Sequence, residues 1–124
     1  MRVEPYVYFQ GRCEEALEFY RAALGADATV LARFGDKVGH AEVRIGDTVL
    51  LASDGQGDGP STFSGFSLSL SASDETEADR LFAALSDGGS VQVPIAPTPF
   101  ASRLGLVADK FGVPWMVVSQ NAAG

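Results

Sequence analysis

Very few side chains in this 124-residue chain could carry chemistry. The only histidine, His40, opens the run HAEVRI, where His40, Glu42 and Arg44 alternate with Ala41, Val43 and Ile45. On an extended strand the three polar residues share one face. An imidazole can act as a metal ligand, an acid–base group or a hydrogen-bond donor that strengthens on protonation. Arg44 offers a planar fork suited to a carboxylate or phosphate. His40 and Arg44 are two alternations apart, about 13 Å at the usual strand rise, so they can bracket a ligand but not clamp one atom. Glu42, between them, repels a bare anion unless it pairs with Arg44. The alternative is a solvated strand face on which His40 has no special role.

Near the N-terminus, Glu4, Tyr6 and Tyr8 alternate in the same way. Tyrosines stack on aromatic ligands and donate hydrogen bonds, and they also pack in cores and interfaces. The single cysteine, Cys13, falls at the start of a predicted helix, where a thiol pKa is lowered. It has no histidine nearby in sequence to serve as its base, so a buried, inert thiol is expected. Ser67, Ser69 and Ser71 lie on one predicted strand face, with no Ser-His-Asp arrangement to activate them. Arg103 is a candidate for holding an anion or a plain surface residue. Trp115 is expected in the core, and its neighbour Met116 on the opposite face.

Composition narrows the partners. The chain is 46% hydrophobic and 20% charged, with a net charge of −7. Such acidity argues against the basic patch that nucleic-acid binding needs. No apolar run approaches the ~20 residues of a membrane span. Met1 leads straight into a charged, strand-like run, so no secretory segment is expected. One cysteine allows neither an intrachain disulfide nor a zinc site with two thiolates, and a cytoplasmic location is expected.

These residues need elements to position them. Val3–Phe9 reads as a strand. CEEALEFYRAALG reads as a helix with Ala16, Leu17, Tyr20, Ala23 and Leu24 in one stripe, acidic residues in its first turn and Gly25 as its cap. Strands follow at about Ala28–Phe34, Gly39–Ile45 and Thr48–Ser53, separated by the turn dipeptides Gly35-Asp36 and Gly46-Asp47. The stretch GQGDGPST, Gly55 to Thr62, has no Lys-Ser/Thr after it and reads as linker rather than phosphate loop. The same order then repeats: a strand at Phe66–Ala72, a helix with an Asp74/Glu77 capping box and a Gly88-Gly89 stop, and strands at Ser90–Pro94, Ser102–Ala108 and Pro114–Ser119. At a shift of 61, Ala22-Ala23-Leu24 falls on Ala83-Ala84-Leu85, Tyr20 on Leu81 and Val30 on Val91. The expectation is one α+β domain over residues 1–124, made of tandem βαβββ units at about 1–54 and 65–120, joined by a linker at 55–64. The units are expected to form a half-barrel sheet, with the helices on its convex face and the other face free to line a cavity.

Two tandem βαβββ units of this length resemble the vicinal oxygen chelate superfamily of glyoxalases, ring-cleaving dioxygenases and bleomycin- and fosfomycin-resistance proteins. The segments PYVYFQGRCEEALEFYRAALGA, HAEVRIGDTVLLASD and LVADKFGVPWMVV resemble its PhnB-like branch. Members of that branch are also described as demethylubiquinone methyltransferases. A sulfonium cofactor commonly needs a Gly-rich turn after the first strand of a doubly wound sheet. Here the first strand runs into QGRCEE, which has one glycine and argues against methyl transfer.

The resemblance also implies where a metal would sit. Metal-using members hold one divalent ion with side chains from the first, fourth, fifth and eighth strands. The matching positions here are Glu4, Leu50 or Leu51, Ser67 (Phe66 if the register slips) and Met116. A thioether is a poor partner for hard ions, and two apolar or neutral positions leave only Glu4, with His40 outside the usual set. The expectation is therefore a small-molecule-binding protein with no cofactor and no metal. Its ligand contacts would come from Tyr6, Tyr8, His40, Glu42, Arg44, Ser67 and Met116. The alternative is a metal-assisted lyase, isomerase or dioxygenase that uses Glu4, His40 and Glu42 for acid–base work. The resemblance and the exposed sheet surface also imply a homodimer.

Overall fold

The structure, a computed structural model, describes residues 1–56 and 62–120. The chain divides into two compact units, Met1–Ser61 and Thr62–Gly124. The first contains β1 (Tyr6–Tyr8), α1 (Cys13–Leu24), β2 (Asp27–Phe34), β3 (Lys37–Ile45) and β4 (Thr48–Ser53). The second contains β5 (Leu68–Ala72), α2 (Glu75–Ser86), β6 (Ser90–Ala96), β7 (Arg103–Ala108) and β8 (Pro114–Ser119). Both are α+β and both follow the expected β-α-β-β-β order. Each sheet is mixed. The orders are β1-β4-β3-β2 and β5-β8-β7-β6, with one parallel pair, β1–β4 or β5–β8, and antiparallel pairs elsewhere.

In the first unit the alternation of β3 divides the sheet as its sequence predicts. Ala41 and Val43 are buried, together with Val7, Leu50 and Ala52. These residues share the face covered by α1, whose Ala16, Leu17 and Tyr20 are fully buried. The rings of Phe9 and Tyr20 meet there at 6.2 Å. The opposite face carries Tyr6, Tyr8, Leu51, His40 and Glu42, because Tyr6 and Glu42 both pair with Leu51. Gly25 closes α1 in the left-handed conformation with φ 64°, accepting the role a residue with Cβ fills poorly. On the surface, Arg33 of β2 forks onto Glu14 of α1 at 2.8 and 3.1 Å, which holds the Glu14 carboxyl below its ordinary range.

Two predicted strands are shorter than their sequences suggest, and proline is the reason in both. Val3–Phe9 forms a strand only at Tyr6–Tyr8. Pro5 has no N–H to give, and its carbonyl accepts the last inter-strand bond from Leu51 N–H at 2.9 Å. Phe66–Ala72 starts only at Leu68, which pairs with Trp115; the next partner would be Pro114, again without a donor. Glu4 and Ser67 therefore precede their strands rather than lie on them. The capping box is also modified. Glu77 N–H donates to Asp74 at 2.7 Å, but the Glu77 carboxylate accepts from Ser73 N–H, one residue earlier than the usual partner. Residues 57–61 of the predicted linker lie outside the described residues.

The second unit is locked at its β7–β8 turn by Asp109. Its buried carboxylate accepts from Phe111 N–H, Val113 N–H and the Trp115 indole N–H, at 2.9, 3.1 and 2.9 Å. Trp115 is buried and Met116 half-buried on the opposite face, as the alternation predicts. Asp109→Asn keeps acceptors for the turn but leaves the indole N–H unsatisfied, and should cost about 1–3 kcal/mol. Asp109→Ala removes all three acceptors and should cost more, about 3 kcal/mol or above. Urea unfolding followed by Trp115 fluorescence measures both. Equal stability of the two variants would show that the turn acceptors contribute nothing, and an Asp109→Asn variant as stable as the parent would show the same of the indole bond.

Candidate functional site

The β2–β3 and β3–β4 hairpins of the first unit both turn on Gly-Asp. Gly35 and Gly46, at φ 64° and 57°, supply the positive φ that a two-residue hairpin turn needs at its first position. The first of these turns places Phe34 beside Lys37. Beyond them lies an irregularity: Arg33 pairs with Val38 and Ala32 with His40, leaving Gly39 without a partner on β2. A bulge of this kind re-aims side chains around it.

Next to the bulge is an open cavity of about 800 Å³. Tyr6 and Tyr8 line it from β1, Gln10 from the β1–α1 turn, and Phe34, Lys37 and Gly39 from the hairpin. Ser53 and Gly55, at the end of β4, complete this wall. Tyr6 and Tyr8 stack with ring centres 4.8 Å apart. His40 stacks on the other side of Tyr6 at 5.6 Å, and its Nδ1 shares a 3.0 Å hydrogen bond with the Tyr6 hydroxyl. His40 thus fixes the orientation of Tyr6. Gln10 is unusual in two respects. Its φ is 50°, rare for a residue with Cβ, and its Oε1 is buried with no hydrogen-bond partner among the described residues. An unpaired buried carbonyl costs about 1–3 kcal/mol.

The structure brings Tyr6, Tyr8 and His40 into one cluster, of which Tyr6 and Tyr8 line the cavity while His40 stands behind Tyr6 and does not. Glu42 is one row further along the same face and does not line the cavity; neither does exposed Arg44, beyond Glu42 on β3. Ser67 and Met116 belong to the second unit. Ser67 is exposed ahead of β5, and Met116 faces Ser69 and Leu106 across its sheet neighbours. Arg103 is engaged within its own unit, with Asp79 at 3.2 Å, Glu75 at 3.6 Å and the Ser102 carbonyl at 2.9 Å.

Sequence reasoning missed Gln10, Phe34, Lys37 and Gly39. For three of them a signal was present: a Gly-Asp hairpin turn necessarily sets Phe34 against Lys37 and brings Gly39 close. Nothing in the sequence marks the Gln10 conformation.

The donor set does not fit a divalent metal. Glu4 is held by Arg2 at 2.8 Å, Leu51 offers no donor, Met116 offers a thioether, and His40 Nδ1 is shared with Tyr6. Among the described residues, no three His, Cys, Asp or Glu side chains converge.

A family model described as 3-demethylubiquinone-9 3-methyltransferase matches residues 1–118. The chain belongs to this family. Protein YjdN of Escherichia coli K12 is 31% identical, with 94% of each chain covered. The solved structure of protein PA1353 from Pseudomonas aeruginosa is 38% identical, covers 97% of this chain and 98% of its own, and superposes with a TM-score of 0.88. The PhnB protein from Bacillus cereus, 24% identical over 96% of this chain and 99% of its own, shares the fold at a TM-score of 0.85. Two solved glyoxalase/bleomycin-resistance structures, from Frankia and Albidiferax ferrireducens, share it at 18% and 17% identity and TM-scores of 0.74 and 0.70. The resemblance inferred from three sequence segments thus agrees with the family match, and the chain shares the fold of the solved PhnB and glyoxalase/bleomycin-resistance structures.

Cys13 is buried, as expected. The helix N-terminus does not activate this thiol. Burial, with the nearby Asp54 and Glu14 charges, pushes its pKa from 9.0 up to about 12. Native Cys13 should therefore resist a disulfide reagent at about pH 8 and react once unfolded. Because the folded pKa is the higher one, the contribution to stability is complete below pH 9.0 and is lost as pH rises toward about 12. Urea titrations across that range should show the decline, and Cys13→Ala should flatten it. Rapid labelling of the native protein would mean the thiol is accessible.

Proposed function

We propose that this PhnB-like family member is a cytoplasmic protein that binds a small aromatic or amphiphilic molecule in the cavity of its first unit. The cavity itself carries the reading. At about 800 Å³ it falls in the range of drug-sized sites, and its walls mix exposed aromatic rings with a few polar groups. Tyr8 is 53% exposed where it lines the cavity. The unpartnered Gln10 Oε1 supports the reading, since a ligand donor would satisfy it after a small rotation of the carboxamide.

Catalysis is not needed to account for these residues. No metal-ligand set is present among the described residues to polarise a substrate, and the one imidazole spends Nδ1 on Tyr6. Methyl transfer, which the family description names, commonly uses a doubly wound parallel sheet, and both sheets here are mixed. We also propose a homodimer, supported by Leu31, Val91 and Val93, which are exposed on the edge strands β2 and β6. Sedimentation at tens of micromolar should give twice the 13.0 kDa chain mass; the chain mass alone would refute it.

Saturable binding of an aromatic amphiphile, without turnover, should be seen by calorimetry. Tyr8→Ala should weaken it by about 1–2 kcal/mol through lost ring contact while leaving the melting temperature nearly unchanged. His40→Ala should weaken it less, through a freer Tyr6. Unchanged affinity in both variants would place the ligand elsewhere.

A further inference from the structure

The hairpin wall of the cavity is more specific than an aromatic amphiphile requires. Phe34 is 73% exposed, and one edge of its ring lies against Gly39 of β3. It rests where the side chain of residue 39 would otherwise be: a Cβ built on Gly39 would sit 2.4 and 2.5 Å from Phe34 Cε2 and Cδ2. That approach is far inside any real carbon contact. The φ of Gly39 is not in the left-handed region, so the backbone there does not require glycine. Its missing side chain instead makes room for the Phe34 ring.

Lys37, the cross-strand neighbour of Phe34, lines the same wall. Among the described residues no ion pair involves Lys37. No aspartate or glutamate is among the lining residues. Asp36 precedes Lys37 in the hairpin turn but forms no ion pair with it among the described residues, and Asp54 spends one oxygen on Cys13 N–H and the other on Val38 N–H. The chain as a whole is acidic, at −7, so any preference of this cavity for an anion has to be local.

We infer that the cavity takes a flat aromatic anion, its rings against Tyr8 and Phe34 and its charge matched by Lys37, with Gly39 as the positioning residue that lets Phe34 form the wall. This rests on the small-molecule reading above and adds the ligand's charge and shape. An exposed ammonium beside the rings makes a charge-assisted bond to a sulfonate or carboxylate, and the two rings favour a planar scaffold.

Two fluorescent probes with the same aromatic scaffold test it: anilinonaphthalene sulfonate, an anion, and phenylnaphthylamine, which has no charge. Both should bind saturably, the anion about tenfold tighter. Lys37→Gln should remove most of that difference by weakening the anion alone. Phe34→Ala and Gly39→Ala should weaken both probes severalfold. Gly39→Ala should keep its melting temperature, because the ring can swing aside and alanine suits a strand better than glycine. Equal affinities for the two probes, or an anion affinity untouched by Lys37→Gln, would overturn the charge assignment and leave the cavity reading standing. Unchanged binding in Gly39→Ala and Phe34→Ala together would overturn the role of this wall. Failure of both probes to bind saturably to the parent would instead refute the cavity reading itself.

Discussion

A single buried carboxylate organises the first unit. Asp54 follows directly on β4, and its two oxygens accept from the backbone N–H groups of Cys13 and Val38 at 2.8 and 2.6 Å. The first bond caps α1, whose own N-cap residue, Arg12, contributes no side-chain bond. The second pins the start of β3. Its main chain does the same work, since Gly11 N–H donates to Asp54 O at 3.0 Å and Asp54 N–H donates to Val38 O at 2.9 Å. One residue therefore ties the helix, the first strand's exit and two sheet strands to a common point. Several residues of the cavity wall are immediate neighbours of these anchor points: Gln10 and Gly55 by sequence, Lys37 and Gly39 on either side of Val38.

The second unit uses the same device at a different place. Asp109 gathers two backbone N–H groups and an indole N–H at the β7–β8 turn. A helix cap there is supplied locally, by Asp74. Two copies of one supersecondary order have thus assigned their buried aspartates to different tasks, and the first copy's task shapes the cavity wall described above. Charge-assisted bonds to backbone N–H groups are strong because both partners leave water together and each satisfies the other.

Much of this was legible in the chain. Alternation in HAEVRI correctly separated Ala41 and Val43 from His40 and Glu42, because strand periodicity is enforced by backbone geometry and overridden only by bulges. Both helices, the Gly25 cap and both Gly-Asp turns followed from local chemistry. The strands that began too early, at Val3 and Phe66, show the limit: their residues have high strand propensity, but a ladder ends where a proline on it or opposite it has no donor. The site was only half legible. Periodicity alone puts Tyr6 with Tyr8 and His40 with Glu42, and the pairing of both strands with β4 brings the two sets to one face. The Tyr6–His40 hydrogen bond, the Gln10 conformation and the raised pKa of Cys13 depend on burial and tertiary neighbours; the inert thiol was legible from its lack of a base, but the helix N-terminus alone has the wrong sign for its pKa because desolvation outweighs the dipole.

The bulge at Gly39 separates two properties that proteins usually have to trade. The core of the first unit lies under α1, on Val7, Ala41, Val43, Leu50 and Ala52, while Phe34 and Lys37 stand outside it on a hairpin closed by its own turn. Change at positions 34, 37 or 39 alters the shape and charge of the cavity wall without opening a void in the packed layer. A lineage carrying this fold can thus diversify what it recognises by drift in one short hairpin, while the buried face evolves under separate selection for folding. The same hairpin is a natural place to graft new recognition onto the scaffold by design.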